Sequence, residues 1–333
     1  MSSSHLPLPR AARRRAGAPS AVAAALAAVI SLVLLAGLLP TPPATAGVVG
    51  TLARVDQPRK GDDFPQLPPR CYDRAHQAIS PCQVTRAPGR PWVVLWGDSH
   101  ALMYLPPVRK LAQQRKVNLV VLTAGSCPVS VPLPRNQGAR SSCEALNLRS
   151  LDFVRELRAR VGNRDLTLLI GGFWAGYLLA YRALEKEAAG GPDSGLSEFR
   201  ARMTRLGVER SPIMLSKLGR ENFRVALMMP AATVPASAPN CPQGREPYVC
   251  DLPRRTAMYR EQNTRAWVRT NLVAPLRAPM LIDPSALYCG PRICRGRVGG
   301  VNTFYDDIHL GAELTAMMTP AFVPFFDAVA GAR

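Results

Sequence analysis

The sequence predicts an α/β protein: a central parallel sheet with helices on both faces, behind an N-terminal export segment. Three observations predict it. From Trp92 onward, short continuous apolar runs alternate with longer stretches of helical spacing, the pattern of strands buried on both faces by crossover helices. The first of those runs ends on a Gly-Asp-Ser turn, and parallel sheets place their sites beyond the carboxyl ends of strands. The first fifty residues and the cysteines read as those of an exported chain.

Taking the elements in order, Arg10, Arg13, Arg14 and Arg15 precede an uncharged apolar run from Ala21 to Leu39, and Ala44-Thr45-Ala46 has the small-x-small form of a leader-peptidase site. Residues 1–46 are expected to be a signal peptide. The run is also close to the ~20 residues that span a bilayer, so an uncleaved anchor, with membrane association through residues 21–39, is the alternative. Arginines in front of the run orient the chain beyond it outward. Either way the remainder is expected to be periplasmic or otherwise extracytoplasmic, secreted or held at the inner membrane.

All eight cysteines lie after this segment, and an oxidising compartment pairs them. Spacing alone leaves many connectivities open. The simplest joins neighbours: Cys71–Cys82, Cys127–Cys143, Cys241–Cys250 and Cys289–Cys294. No CxxC spacing is present, so no metal is assigned and no cofactor is expected. The net charge is +19 over 333 residues, almost all from arginine. These charges are spread along the chain and aromatics are few, which reads as a solubilising surface and argues against nucleic-acid binding.

Residues 47–90, rich in Pro, Arg and Asp, are expected to form an extended linker with one cystine loop, leading into a single domain over residues 91–330. Trp92 to Trp96 is a buried strand. A helix follows through Leu111, with Pro106 and Pro107 tolerated only in its first turn. Residues 118–123 form the second strand and Leu146 to Val161 a helix, with Leu148, Leu151, Val154, Leu157 and Val161 at helical spacing. Leu166 to Ile170 is the third strand, stopping at Gly171-Gly172. Residues 185–200 read as a polar insertion and 197–217 as a helix. Val225 to Met229 is the fourth strand, 230–253 a proline-rich surface loop, and 256–272 a helix. Residues 280–282 make a short fifth strand, 284–303 a cystine loop, and 312–328 a last helix. There is no internal repeat.

A serine hydroxyl becomes a nucleophile only with a base in reach, a group that orients the base, and donors for the oxyanion. Ser99 follows the first strand in a turn with Gly97. Of the four histidines, His5 lies in the leader and His76 in the linker. His100 adjoins Ser99 and its side chain is expected to point elsewhere, which leaves His309 as base. Asp306, three residues earlier, is placed to hold the imidazole in one tautomer, with Asp307 the alternative. Alone, Gly-Asp-Ser is an ordinary turn and Asp-x-x-His an ordinary helix-start cap. Their position at a strand end and before the final helix favours a site.

Gly97-Asp98-Ser99-His100 after a strand, with Asp306-x-x-His309-Leu310 before the last helix, resembles the SGNH/GDSL hydrolase superfamily. Trp96 to Ala101 and Ser126-Cys127-Pro128, with Cys143 as partner of Cys127, are similar to the SGNH domains associated with acyltransferase-3 proteins that O-acylate surface glycans. The resemblance covers about residues 70–330. It implies a flavodoxin-like three-layer α/β/α fold, with Ser99 as nucleophile, His309 as base and Asp306 as its orienter. It also implies an oxyanion hole from the Ser99 N–H and an N–H near Gly125 or Ser126. One block departs from the superfamily. The third strand runs on into Ile170-Gly171-Gly172-Phe173-Trp174 without the usual Asn, and Asn163 lies before the strand, at the wrong end. Losing one oxyanion donor costs ~10²–10³ in rate. The subgroup carries an aromatic there, which makes Trp174 the candidate site residue, with a packed core aromatic as the alternative.

The function the resemblance implies is O-acyl transfer, with acetyl the expected group, through acyl-Ser99 to a cell-envelope glycan. A separate multipass membrane acyltransferase would be the donor. An esterase of the same fold and a non-catalytic glycan-binding protein are the alternatives.

Overall fold

The computed structural model describes residues 63–68, 71, 81–234 and 251–331. The predicted leader, His76 and the Cys241–Cys250 pair lie outside the described residues. Six strands form one sheet: β1 (Cys82–Thr85), β2 (Trp92–Gly97), β3 (Asn118–Thr123), β4 (Leu166–Gly171), β5 (Arg224–Met228) and β6 (Met280–Ile282). Their order is β1-β3-β2-β4-β5-β6. All neighbours are parallel except β1, which runs antiparallel to β3.

The continuous apolar runs are explained by burial on both faces. Every residue of β3 and β4 is buried. Val93 and Leu95 enter one core with Leu119 and Val121, while Val94 and Trp96 enter the other with Val120 and Leu122. The first core is covered by α2 (Leu105–Gln114), which follows the single turn α1 (Ser99–Leu102), and by the C-terminal helices. The second is covered by α3 (Ser142–Val161), α4 (Trp174–Ala188), α5 (Glu198–Arg205) and α6 (Ser211–Arg220). Leaving β2, the chain crosses to β3 on one face and returns to β4 on the other. β2 and β4 therefore flank the switch point, where a parallel sheet opens a crevice.

Several segments differ from the sequence reading. The expected linker contains β1, and Leu67 and Cys71 are buried with the first core, because β3 would otherwise leave an unpaired edge. Helix α4 (Trp174–Ala188) starts just after Gly171-Gly172, where the sequence reading ended the third strand and assigned no helix. The helix expected over 197–217 passes through a π turn at Leu206–Arg210. The helix expected over 256–272 is α7 (Arg254–Val268) followed by a π turn at Arg269–Val273. The start of the expected surface loop is inside: Ala231, Ala232 and Val234 are buried, and Ala232 N–H donates to Tyr288 Oη at 2.8 Å. The last helix is two, α8 (Ala312–Met317) and α9 (Thr319–Ala330), divided where Pro320 enters the first turn of α9. No helix among the described residues is long and apolar enough to cross a membrane.

Candidate active site

Ser99 is the first residue of α1, and Asp98 is its N-cap. The turn is held hard against the end of β4. Gly97 has φ +156°, and a Cβ there would collide with the Gly171 carbonyl oxygen, so only glycine fits. Asp98 is fully buried. It accepts hydrogen bonds from the His100 N–H and the Phe173 N–H, each at 2.8 Å, and from the Tyr177 hydroxyl at 2.8 Å. One carboxylate thus ties the β2–α1 turn to the β4–α4 turn across the crevice. Burial pushes its pKa up, against the lowering effect of those three donors. Burial and the Asp98 charge likewise hold the Tyr177 hydroxyl well above its ordinary range, so it remains a donor.

The structure brings Ser99, His309 and Asp306 together across the chain. Ser99 Oγ lies 2.8 Å from His309 Nε2. His309 Nδ1 lies 2.8 and 3.0 Å from the two Asp306 oxygens. The loop carrying these residues closes on itself: Tyr305 N–H donates to His309 O at 2.9 Å, and Asp306 accepts from the N–H groups of Ile308 (2.9 Å) and His309 (2.6 Å). Burial raises the Asp306 pKa, but the hydrogen bonds and charge of His309 and the two backbone donors outweigh it, leaving the carboxyl below its ordinary range. An ionised carboxylate only accepts, so Nδ1 carries the hydrogen and Nε2 presents its lone pair to the Ser99 hydroxyl. Asp307, by contrast, is exposed, and its carbonyl accepts from Val234 N–H.

His100 does not point away as expected. Its ring stacks on Phe173 at 4.3 Å and lies 4.9 Å from the His309 ring. Burial, reinforced by the His309 charge, holds it well below the ordinary imidazole range, so it is a neutral, packed neighbour of His309. Of the two readings of Trp174, the structure takes the core one over the site one. It is buried in the second core beside Tyr177 and Trp267, packed over the space left by the missing side chain of Gly172. Its predecessor Phe173 lines the crevice instead, together with Tyr177 and Phe199. Asp98, Phe173 and Tyr177 were given no role from the sequence. The one available signal was the acidic residue in the N-cap position of the Gly-Asp-Ser turn.

Gly125 and Ser126 sit in the turn after β3, closed by Cys127 N–H donating to Ala124 O, while Ala124 N–H donates to Gly97 O at 3.3 Å. Ser126 has φ +56° and lines the same crevice as Ser99; Gly125 lies on an adjoining depression. The Cys127–Cys143 disulfide pins this turn to the start of α3, and Cys71–Cys82 and Cys289–Cys294 are also paired.

The crevice has a volume of about 630 Å³ and runs from Asp98, Ser99 and His309 along α4 and α5. On its other side the segment before β1 reaches the histidine loop. Phe64 packs its ring edge against His309 at 5.2 Å. Asp63 accepts from the N–H groups of Ala312 and Glu313, capping α8, whose own N-cap residue, Gly311, has no side chain to offer.

The model of the family described as SGNH domain (fused to AT3 domains) matches residues 70–324. No curated protein matches the chain. Among solved structures, it is similar to the periplasmic domain of the lipopolysaccharide acetyltransferase of Salmonella ser. Paratyphi A. Identity is 12%, the TM-score is 0.45, and 71% of this chain and 84% of that one are covered. It is also similar to an acetyl xylan esterase, with 14% identity, a TM-score of 0.35, and 70% and 98% covered.

Proposed function

Because the chain belongs to the family of SGNH domains fused to AT3 domains, we propose that it carries out serine-dependent O-acyl transfer to a cell-envelope glycan. The carrying observation is the unbroken chain of contacts from Ser99 Oγ through His309 to Asp306 at the switch point of the sheet. Ser99 Oγ attacks the acyl carbonyl carbon as its proton passes to His309 Nε2. The tetrahedral intermediate collapses, His309 returns the proton to the leaving oxygen, and the acyl group remains as an ester on Ser99. In the second half a sugar hydroxyl gives its proton to His309 and attacks that ester, and Ser99 Oγ takes the proton back. The Ser99 amide and the turn at Gly125 and Ser126 are the proposed oxyanion donors. The donor would be a multipass AT3-type membrane partner. The three cystines among the described residues support an extracytoplasmic site of action.

A carbohydrate esterase is the second reading, favoured by the partial exposure of Asp306 and His309, which admits water as the acceptor. A purely glycan-binding role leaves the three-residue hydrogen-bond chain without a purpose. The test is incubation of the purified protein with an activated acetyl ester, with and without envelope glycans. An acetyl mass increment on Ser99 is expected, passing to the glycan faster than to water. Ser99→Ala and His309→Ala should each lower turnover by at least about 10³-fold, and Asp306→Asn should impair it far more than Asp307→Asn. Faster discharge to water would favour the esterase, and absence of any Ser99 adduct would remove both enzymatic readings.

A further inference from the structure

The crevice continues well past the reacting atoms, and its far part is mostly apolar, with Arg200 and Thr204 the polar side chains that α5 adds to it. Gly176, Ala180 and Ala183 lie at i, i+4 and i+7 on α4, one above the other on a single face, and all three line it. Phe199 and Met203, four apart on α5, form the opposite wall, and Leu179 stands at the rim. Leu179 and Phe199 are 44% and 53% exposed, and both stand on this one groove. The seam starts where Phe173 and Tyr177 bond to Asp98, next to Ser99. From Gly176 to Ala183 it advances about 10 Å along the helix.

We infer that this groove is an acyl-chain subsite, and that the acyl group placed on Ser99 is an aliphatic chain of several carbons rather than acetyl alone. The inference rests on the acyl-Ser99 reading above and specifies its substrate class. The Phe173 ring lies against Gly176, where a Cβ would collide with it, and beyond it Ala180 and Ala183 keep the helix face low; the facing apolar side chains close the channel laterally, and its inner end is the nucleophile, where a carbonyl carbon must sit. A fully extended chain advances about 1.2 Å per bond, so the seam takes about eight carbons. An apolar segment of a protein partner could cover the outer rim, but would have no reason to begin at Ser99.

The experiment compares 4-nitrophenyl acetate, butanoate, hexanoate and octanoate on the whole protein, with rates normalised to Ser99 sites titrated by a small phosphonate and Ser99→Ala as background. Full burial of one methylene is worth about fourfold, or about 0.8 kcal/mol. With half of that realised, kcat/KM is expected to rise more than tenfold from acetate to hexanoate. Ala183→Phe and Ala180→Phe should each lower the hexanoate-to-acetate ratio at least fivefold, Ala180→Phe cutting in at the shorter chain. A ratio that is flat or falls with length while Ser99 is acylated overturns the inference and leaves the acyl-transfer reading standing. A rising profile that neither variant alters also overturns it, because the chain then lies elsewhere. An ω-carboxylated ester that outruns the alkyl series would overturn it in favour of Arg200, the charged side chain that α5 contributes to the lining. Failure of every ester to acylate Ser99 overturns both readings together.

Discussion

Asp98 accepts three hydrogen bonds, from two backbone amides and a phenol, in a place with no water access. That fixes what a change there does. Asp98→Asn replaces an acceptor oxygen with an NH₂ group facing donors, so at least one N–H or O–H is left unpaired in the interior. A loss of about 1–3 kcal/mol is expected, with kcat falling more than KM changes, because the β2–α1 turn that aims Ser99 loosens. Tyr177→Phe removes only one of the three donors and should cost about 1 kcal/mol. Urea unfolding and steady-state kinetics on the same samples check both; equal effects of the two variants would show that the backbone bonds carry little. At this scale Ser99 and His309 were legible because the residue types are scarce and their neighbours specific. Asp98 was not legible as a hub, since its Phe173 and Tyr177 partners arrive 75 and 79 residues later and only the parallel register brings those strand ends together. Trp174 was left between two readings for a related reason: one residue of helical rotation decides whether Phe173 or Trp174 faces the crevice.

The junction of the β3 turn, α3 and α5 shows how elements share one anchor. Glu144 completes a capping box with Ser141, accepts the Leu133 N–H at 2.9 Å, and pairs with Arg202 of α5 at 2.6 Å. One residue earlier, Cys143 holds the Gly125–Ser126 turn by its disulfide. Burial raises the Glu144 pKa, but the Ser141, Arg202 and Leu133 donors outweigh it and leave it below the ordinary range. A carboxyl depressed on folding contributes stability above its unfolded value of about 4.3, and loses that contribution as pH falls through the lower folded value. Glu144→Gln is therefore expected to be about 2 kcal/mol less stable at pH 7, with the gap to wild type narrowing below pH ~4. Urea titrations at pH 7 and pH 3 measure it, and a gap that widens in acid would contradict the assignment. The parallel strands were legible almost to the residue because burial on both faces leaves uninterrupted apolar runs. β1 was not, because an edge strand of four residues, half-exposed, carries no such run.

At the scale of the whole molecule, the expected division into linker and domain does not follow the packing. Phe64 and Leu67 belong to the first core, β1 extends its sheet, and Asp63 caps α8 from a distance of some 250 residues in sequence. A parallel sheet covered on both faces was legible from the alternation of elements, and its flavodoxin-like arrangement from the resemblance, whereas these returning contacts depend on chain ends meeting in space, which no local pattern encodes. The cap has a practical consequence. A shortened chain trimmed to begin at residue 70, the first position of the family match, would keep all three side chains proposed to react yet discard the clasp that braces the imidazole from behind. Such a truncate should melt several degrees lower and react more slowly with a serine-directed phosphonate than a chain beginning before Asp63, a deficit that scanning calorimetry and labelling rates would expose.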